Sequence, residues 1–187
     1  MELDEAIEGL LADPVDVGTA RTTLPDRNGV YAWWTDRGAI PRIPSEPHPR
    51  EEDLELFYVG IAPRDARSSA TLKSRIVGNH VGRNTGSSTF RFALAALLID
   101  TLRLTPHRTK TKYVLPAAQN QALSAWQREH LKLTWVQHDA PWLIEDEIIA
   151  ALRPPLNLAG NAAHPFHSTL SETRDRFRAA AQDRTPQ

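Results

Sequence analysis

The sequence predicts an α/β (α+β) fold, a small and mainly antiparallel β-sheet flanked by helices. Two short apolar runs with strand character, residues 29–35 and 54–61, lie close enough in the chain to form a hairpin. A third run, "KLTWVQH" at 132–138, alternates like a strand, and segments of helical period surround all three. The 187 residues suffice for one domain with a proper core and not comfortably for two, and neither an internal repeat nor a linker divides them.

The elements follow in order. Residues 3–12 place Leu3, Ile7, Leu10 and Leu11 at helical spacing, and "DPVDVG" then breaks the pattern. The turn signal "PDRNG" leads into the strand "GVYAWW". Residues 36–53, with four prolines and many charges, read as a surface loop before the strand "LELFYVGI" at 54–61. "SSATLKSRIVG" is expected to be a short helix, capped by Ser69 or Thr71 and ended by Gly78. After the loop "RNTGSS", residues 88–102 form a strongly apolar helix, and residues 115–131 an amphipathic one. "PWLIEDEIIAALR" is a helix started by proline and stopped by "PPLN". A last helix is expected over 168–181 with Ser168 as its cap, and the tail "QDRTPQ" is expected to be loose.

Composition narrows the function. The chain is 41% hydrophobic and 24% charged, as soluble globular proteins are. No apolar run approaches the ~20 residues that span a bilayer. The acidic N-terminus does not resemble a secretory signal, and the lack of cysteine excludes disulfides and thiolate metal sites. A cytoplasmic protein is the expectation. The net charge of −1 hides an asymmetry: from Arg64 to Lys112 ten Lys or Arg face two acids, an excess of +8, so the remainder carries −9. A basic face for a polyanion on an acidic body accounts for this, as does a merely solvated basic surface.

Each of the first two strands pairs a glycine with a tyrosine, in "GVY" at 29–31 and "YVG" at 58–60. Strand tyrosines are usually half-buried packing residues. Here they are followed by Arg75, by Glu145 on a helix with one apolar side, and by Asn157 after "RPPL". Glu145 shares the inward face of Ile148, Ile149 and Leu152, whereas Glu147 points elsewhere. A carboxylate facing a core is costly unless paired or metal-bound.

"GVY", "YVG", "LKSR" at 72–75 and "EDEIIAALRPPLN" at 145–157, in that order, make the chain resemble the GIY-YIG nuclease family over about 29–157. The resemblance implies a metal-dependent endonuclease hydrolysing phosphodiester bonds, in DNA sooner than in RNA. Glu145 would be the sole protein carboxylate on one Mg²⁺ or Mn²⁺, a mode that suits magnesium, which keeps several waters. Tyr31 would act as general base toward the attacking water, with Arg75 lowering its pKa from the ordinary ~10 and also pairing with the phosphate. Tyr58 would hydrogen-bond the phosphate or the water, and Asn157 would hold the site together. The glycines beside the tyrosines would let substrate approach the backbone. The family often carries His or Tyr four residues after the arginine; here that position is Asn79. His80 would lie about 140° away on an ideal helix and reaches the site only if the helix ends at Gly78. It would then serve as proton shuttle or phosphate contact. Lys73, Arg83 and Arg91 are candidate nucleic-acid contacts. Cutting both strands of a duplex would require two sites, as a homodimer supplies. A non-catalytic nucleic-acid-binding module on the same fold is the competing reading, and an unrelated α/β enzyme or interaction domain the third. "HPFH" at 164–167 lacks a third metal ligand, and the five tryptophans read as packing residues, Trp34 being the one to check for base stacking.

Overall fold

In a computed structural model, which describes residues 2–183, four antiparallel strands form the main sheet in the order β1-β6-β2-β3. The strands are β1 (Val15–Asp16), β2 (Gly29–Asp36), β3 (Leu54–Ala62) and β6 (Leu131–Gln137). The central strand β2 pairs with β3 and β6 throughout, which matches the expected hairpin and antiparallel sheet. A small second sheet joins β4 (His107–Arg108), β5 (Tyr113–Val114) and β7 (Gln182–Asp183) in the order β5-β4-β7.

Alternation along β2 sends its side chains to two separate cores. Val30, Ala32 and Trp34 pack with α1 (Leu3–Leu10) and α5 (Glu145–Leu152). Tyr31 and Trp33 face the other side, against α3 (Thr89–Leu97), α4 (Ala117–His130) and α6 (His167–Ala179). Trp33 and Trp34 are both buried, and Trp34 Nε1 donates to Thr134 Oγ1 at 3.0 Å, so neither offers a face to a base.

Local structure departs from expectation at six places, one of them the helix expected to start at Pro141, where Pro141–Leu143 form a separate 3₁₀ turn ahead of α5. The expected break at 13–18 contains β1, and Asp16 Oδ1 accepts from Thr19 N at 2.7 Å to cap α2 (Val17–Thr23). Gly18 and three threonines give that helix weak intrinsic propensity, which hides it in the sequence. Gly78 does not end its helix: Ser74–Val81 runs through it as a π-helix, with Gly82 N bonded to Val77 O at 3.0 Å. The helix expected over 88–102 stops at Leu97. α6 starts at His167 without a side-chain cap, so Ser168 lies inside it; the turn before it is held by Phe166 N donating to His164 Nδ1 at 3.1 Å. Of the expected loose tail, Gln182–Asp183 pairs in parallel with β4, and residues 184–187 lie outside the described residues.

Candidate active site

Tyr31 is fully buried near the middle of the sheet and points toward α3. Its cross-strand neighbour is Gly60, and this pairing explains the glycine. A Cβ on Gly60 would lie 2.5 Å from the Tyr31 hydroxyl oxygen and 2.9 Å from a Tyr58 ring carbon. Gly29 likewise leaves no space, since its Cβ would meet Val136 O at 2.1 Å. The glycines therefore make room for the protein's own groups, in place of the expected approach of substrate to the backbone.

A register shift between Trp33 and Trp34 leaves Phe57 as the extra residue of β3, a β-bulge. Bulges re-aim side chains, and here both Phe57 and Tyr58 turn toward the Tyr31 side. The half-buried Tyr58 ring lies 6.5 Å from that of Tyr31. Asn157 secures this edge: its Oδ1 accepts from Val59 N at 3.0 Å and its Nδ2 donates to Val59 O at 2.9 Å. Leu156 N adds a bond to Phe57 O at 3.1 Å. The asparagine amide thus stands in for the strand that β3 lacks on its outer side.

The π-helix solves the placement of His80. Its i→i+5 hydrogen bonding makes residues five apart successive members of one face. Arg75 and His80 therefore sit together without the helix end at Gly78 that an α-helix would require. His80 is fully buried in a box of aromatic rings, with Tyr31 and Phe90 each at 5.5 Å, Tyr58 at 6.2 Å and Trp33 at 6.3 Å. Tyr31 Oη is 2.6 Å from His80 Nε2, and Ser88 Oγ is 2.6 Å from His80 Nδ1. Ser88 also caps α3 by accepting from Arg91 N at 3.0 Å. Ser88 thus lies ahead of α3 as its cap, not inside the helix as expected over 88–102, and its bond to His80 had no counterpart in the sequence.

Burial governs the titration of these groups. It pushes the Tyr31 phenol well above the ordinary tyrosine value; Tyr58 adds to the rise, and the charge of Arg75 opposes it without prevailing. The expected lowering of Tyr31 by Arg75 is thus reversed, because desolvation of a phenolate outweighs one half-exposed cation. Burial first, then Arg75 and Arg91, hold His80 well below its ordinary 6.5, so the imidazole is neutral. Burial alone would lower Arg75, but Tyr31, Tyr58 and Glu145 together raise it. Glu145 is raised by burial and by Asp146, with Arg75 pulling it down.

Glu145 stands at the start of α5, half-buried, and enters none of the ion pairs among the described residues. No group of three or more His, Cys, Asp or Glu converges among those residues. A hard oxygen donor without a partner fits a cation such as Mg²⁺, which takes one or two carboxylates and fills the remainder with water and phosphate oxygen. The "HPFH" histidines belong to no such cluster.

The nucleic-acid candidates divide. Lys73 and Arg83 are exposed at the two ends of the π-helix. Arg91 is not available: it is fully buried, and its guanidinium donates to His80 O at 3.2 Å, to Asn120 O at 2.7 Å, to Ser124 Oγ at 2.7 Å and to Gln127 Oε1. A basic residue in an apolar helix reads as a surface charge in the sequence; here it ties the end of the π-helix to α4. Sequence reasoning also passed over Arg174 and Arg178 on α6. Their guanidinium carbons lie 5.3 Å and 5.2 Å from the Phe92 ring centroid. They fall outside the +8 window, and only the folding-back of α6 brings them beside α3.

The cluster thus combines a phenol in contact with an imidazole, a neighbouring guanidinium and a carboxylate that enters no ion pair among the described residues. The chain belongs to the GIY-YIG nuclease family: the model of the GIY-YIG catalytic domain matches residues 29–176, well over half of the 187. The match runs through most of α6, farther than the sequence motifs reach. Comparisons with curated proteins and with solved structures produced no match. No helix among the described residues is long and apolar enough to cross a membrane.

Proposed function

We propose that the protein is an endonuclease that hydrolyses phosphodiester bonds of nucleic acid, DNA in preference to RNA, using one Mg²⁺ or Mn²⁺ held by Glu145. The observation that carries this reading is the 2.6 Å contact between Tyr31 Oη and His80 Nε2, set beside Arg75 and Glu145. Four groups from β2, the π-helix and α5 would act on one phosphate, with Tyr58 of β3 beside them.

A phenol whose pKa is raised by burial is not a standing base. It works as a relay. Tyr31 Oη takes a proton from the attacking water while its own proton passes to His80 Nε2. This needs the tautomer in which Nδ1–H donates to Ser88 Oγ, leaving Nε2 as acceptor; the relay assigns that tautomer, and the 2.6 Å contacts on both nitrogens accommodate it. The negative phosphate would raise the proton affinity of His80 when substrate is present. Arg75 would pair with the phosphate oxygens, a task for which its planar fork is suited. Tyr58 would hydrogen-bond the phosphate or orient the water. The cation, when bound, neutralises charge at the phosphate and at the leaving oxygen. Asn157 keeps Tyr58 in place through Val59. Lys73 and Arg83 would contact the flanking backbone.

The test is cleavage of supercoiled plasmid, single-stranded DNA, branched DNA and RNA by the purified chain with Mg²⁺ or Mn²⁺, with Glu145→Ala as control. Cleavage lost in the variant is the expected result. If the wild type leaves every substrate intact, the reading falls; salt-dependent binding unaffected by Glu145→Ala would instead identify a non-catalytic binding module. Direct linearisation without nicked intermediate would point to paired sites, as in a homodimer.

A further inference from the structure

Beside the proposed catalytic groups lies a cleft of about 430 Å³ that they do not fill. It is lined by Arg75 of the π-helix, by Lys112, by Arg174 and Arg178 of α6, and by Ser87 and Thr89. No carboxylate is among the lining residues. Arg174 and Arg178 are four residues apart, so they share one helix face, where like charges repel. Phe92 holds them there, its ring under both guanidiniums. Arg178 has Asp175 as an exposed partner. Arg174 has no ion pair among the described residues, and its buried Nε lacks a hydrogen-bond partner. Lys112 is set by the turn in which Thr109 N donates to Lys112 O at 2.8 Å. Gly86 lets this turn close, since a Cβ there would lie 2.8 Å from Lys112 Cβ.

We infer that this cleft is a second phosphate site, which takes the backbone phosphate next to the scissile one on the strand being cut. The inference rests on the nuclease reading. A cleft lined by four cationic side chains from three segments and by no carboxylate selects an anion. Arg75 belongs to both the cleft and the catalytic cluster, so an anion here neighbours the phosphate to be hydrolysed. Successive phosphates of one strand are the anions so spaced, and such contacts set register without reading sequence. Base stacking is not the role of Phe92, whose ring is buried beneath the arginines.

The experiment measures binding of a labelled DNA oligonucleotide by fluorescence anisotropy across a salt series, with the full chain carrying Glu145→Gln so that substrate is not consumed. Adding Arg174→Gln and Arg178→Gln should flatten the slope of log Kd against log salt by about 2 and weaken binding roughly sixty-fold at ~0.1 M salt. Lys112→Gln, at an exposed turn, should flatten it by about 1 and decides the matter if the double variant fails to fold. An uncharged methylphosphonate at the linkage beside the cleavage position should weaken binding to the protein with the cleft intact more than binding to the double variant, in which only Arg75 and Lys112 remain. Unchanged slopes in folded variants, or equal methylphosphonate effects in both proteins, would overturn the inference. If the wild type still cleaves DNA in that case, only the inference falls; if it neither binds nor cleaves, the nuclease reading falls with it.

Discussion

Replacing Tyr31 by phenylalanine removes a single oxygen from the centre of the candidate site. The ring stays, so its packing against the α3 side is kept. What is lost is the bond at 2.6 Å to His80 Nε2. Both residues are fully buried, so no water replaces the phenol, and the imidazole nitrogen is left without a partner. An unpaired buried polar group costs about 1–3 kcal/mol, and in a chain of this size each kcal/mol lowers Tm by about 2–4 °C. Tyr31→Phe should therefore fold cooperatively with a modest loss in urea denaturation. Its cleavage rate should fall far more, by about 10²–10⁴, the usual share of a proton-transfer group. The assay is single-turnover nicking of supercoiled plasmid alongside the denaturation curve. A variant that is destabilised as expected yet cuts at the wild-type rate would refute the relay and reduce the phenol to a structural bond.

His80 makes stability pH-dependent with a definite sign. Its folded-state pKa lies below the unfolded 6.5, so between the two values only the unfolded chain takes up the proton; stability is full above about pH 6.5 and declines as pH falls, by up to ~1.4 kcal/mol per unit. His80→Gln should lose that part of the slope in denaturation curves from pH 7 to 5. Glu145 has the opposite sign, since its folded pKa is raised: its penalty is present at neutral pH and vanishes toward its unfolded value. Glu145→Gln should abolish cleavage yet melt higher than the wild type at pH 7, with the gap closing toward pH 4.5, and Mg²⁺ should raise Tm only in the wild type. Asn157→Ala strands Val59 N and Val59 O, at about 1–3 kcal/mol each, whereas Asn157→Asp keeps the bond from Val59 N; urea midpoints should rank wild type, Asp, Ala. Gly60→Ala drives a Cβ into the Tyr31 phenol, so it should cost about 1–3 kcal/mol by overpacking and abolish nicking as well.

Most of the scaffold was legible because it obeys local rules. The strands at 29–36 and 54–62 carry apolar, aromatic and β-branched residues between turn signals, and α1, α4 and α5 show the helical period. The short pieces were not, since β1 and α2 have weak intrinsic preference and exist because β6 and α4 cover them. Tyr31, Tyr58, Arg75, Glu145 and Asn157 stood out by type and order along the chain. The position of His80 could not be read, because a five-residue step on an α-helix leads away from Arg75 and nothing in "SRIVGNHV" announces a π-helix. Arg91 misled for the same reason that Arg174 and Arg178 were overlooked: a charge in one dimension carries no record of which side chains will surround it.

The sequence by itself determined which chemical groups this protein possesses and on which kinds of element they ride, because periodicity and turn chemistry act between near neighbours. The tertiary structure alone decided their protonation and their partners. The Tyr31 phenol is pushed up because other elements bury it, and the two His80 nitrogens meet Tyr31 and Ser88, which come from different elements. Desolvation and hydrogen bonding depend on everything that packs around a group, and that environment exists only once the sheet and its helices have closed over it.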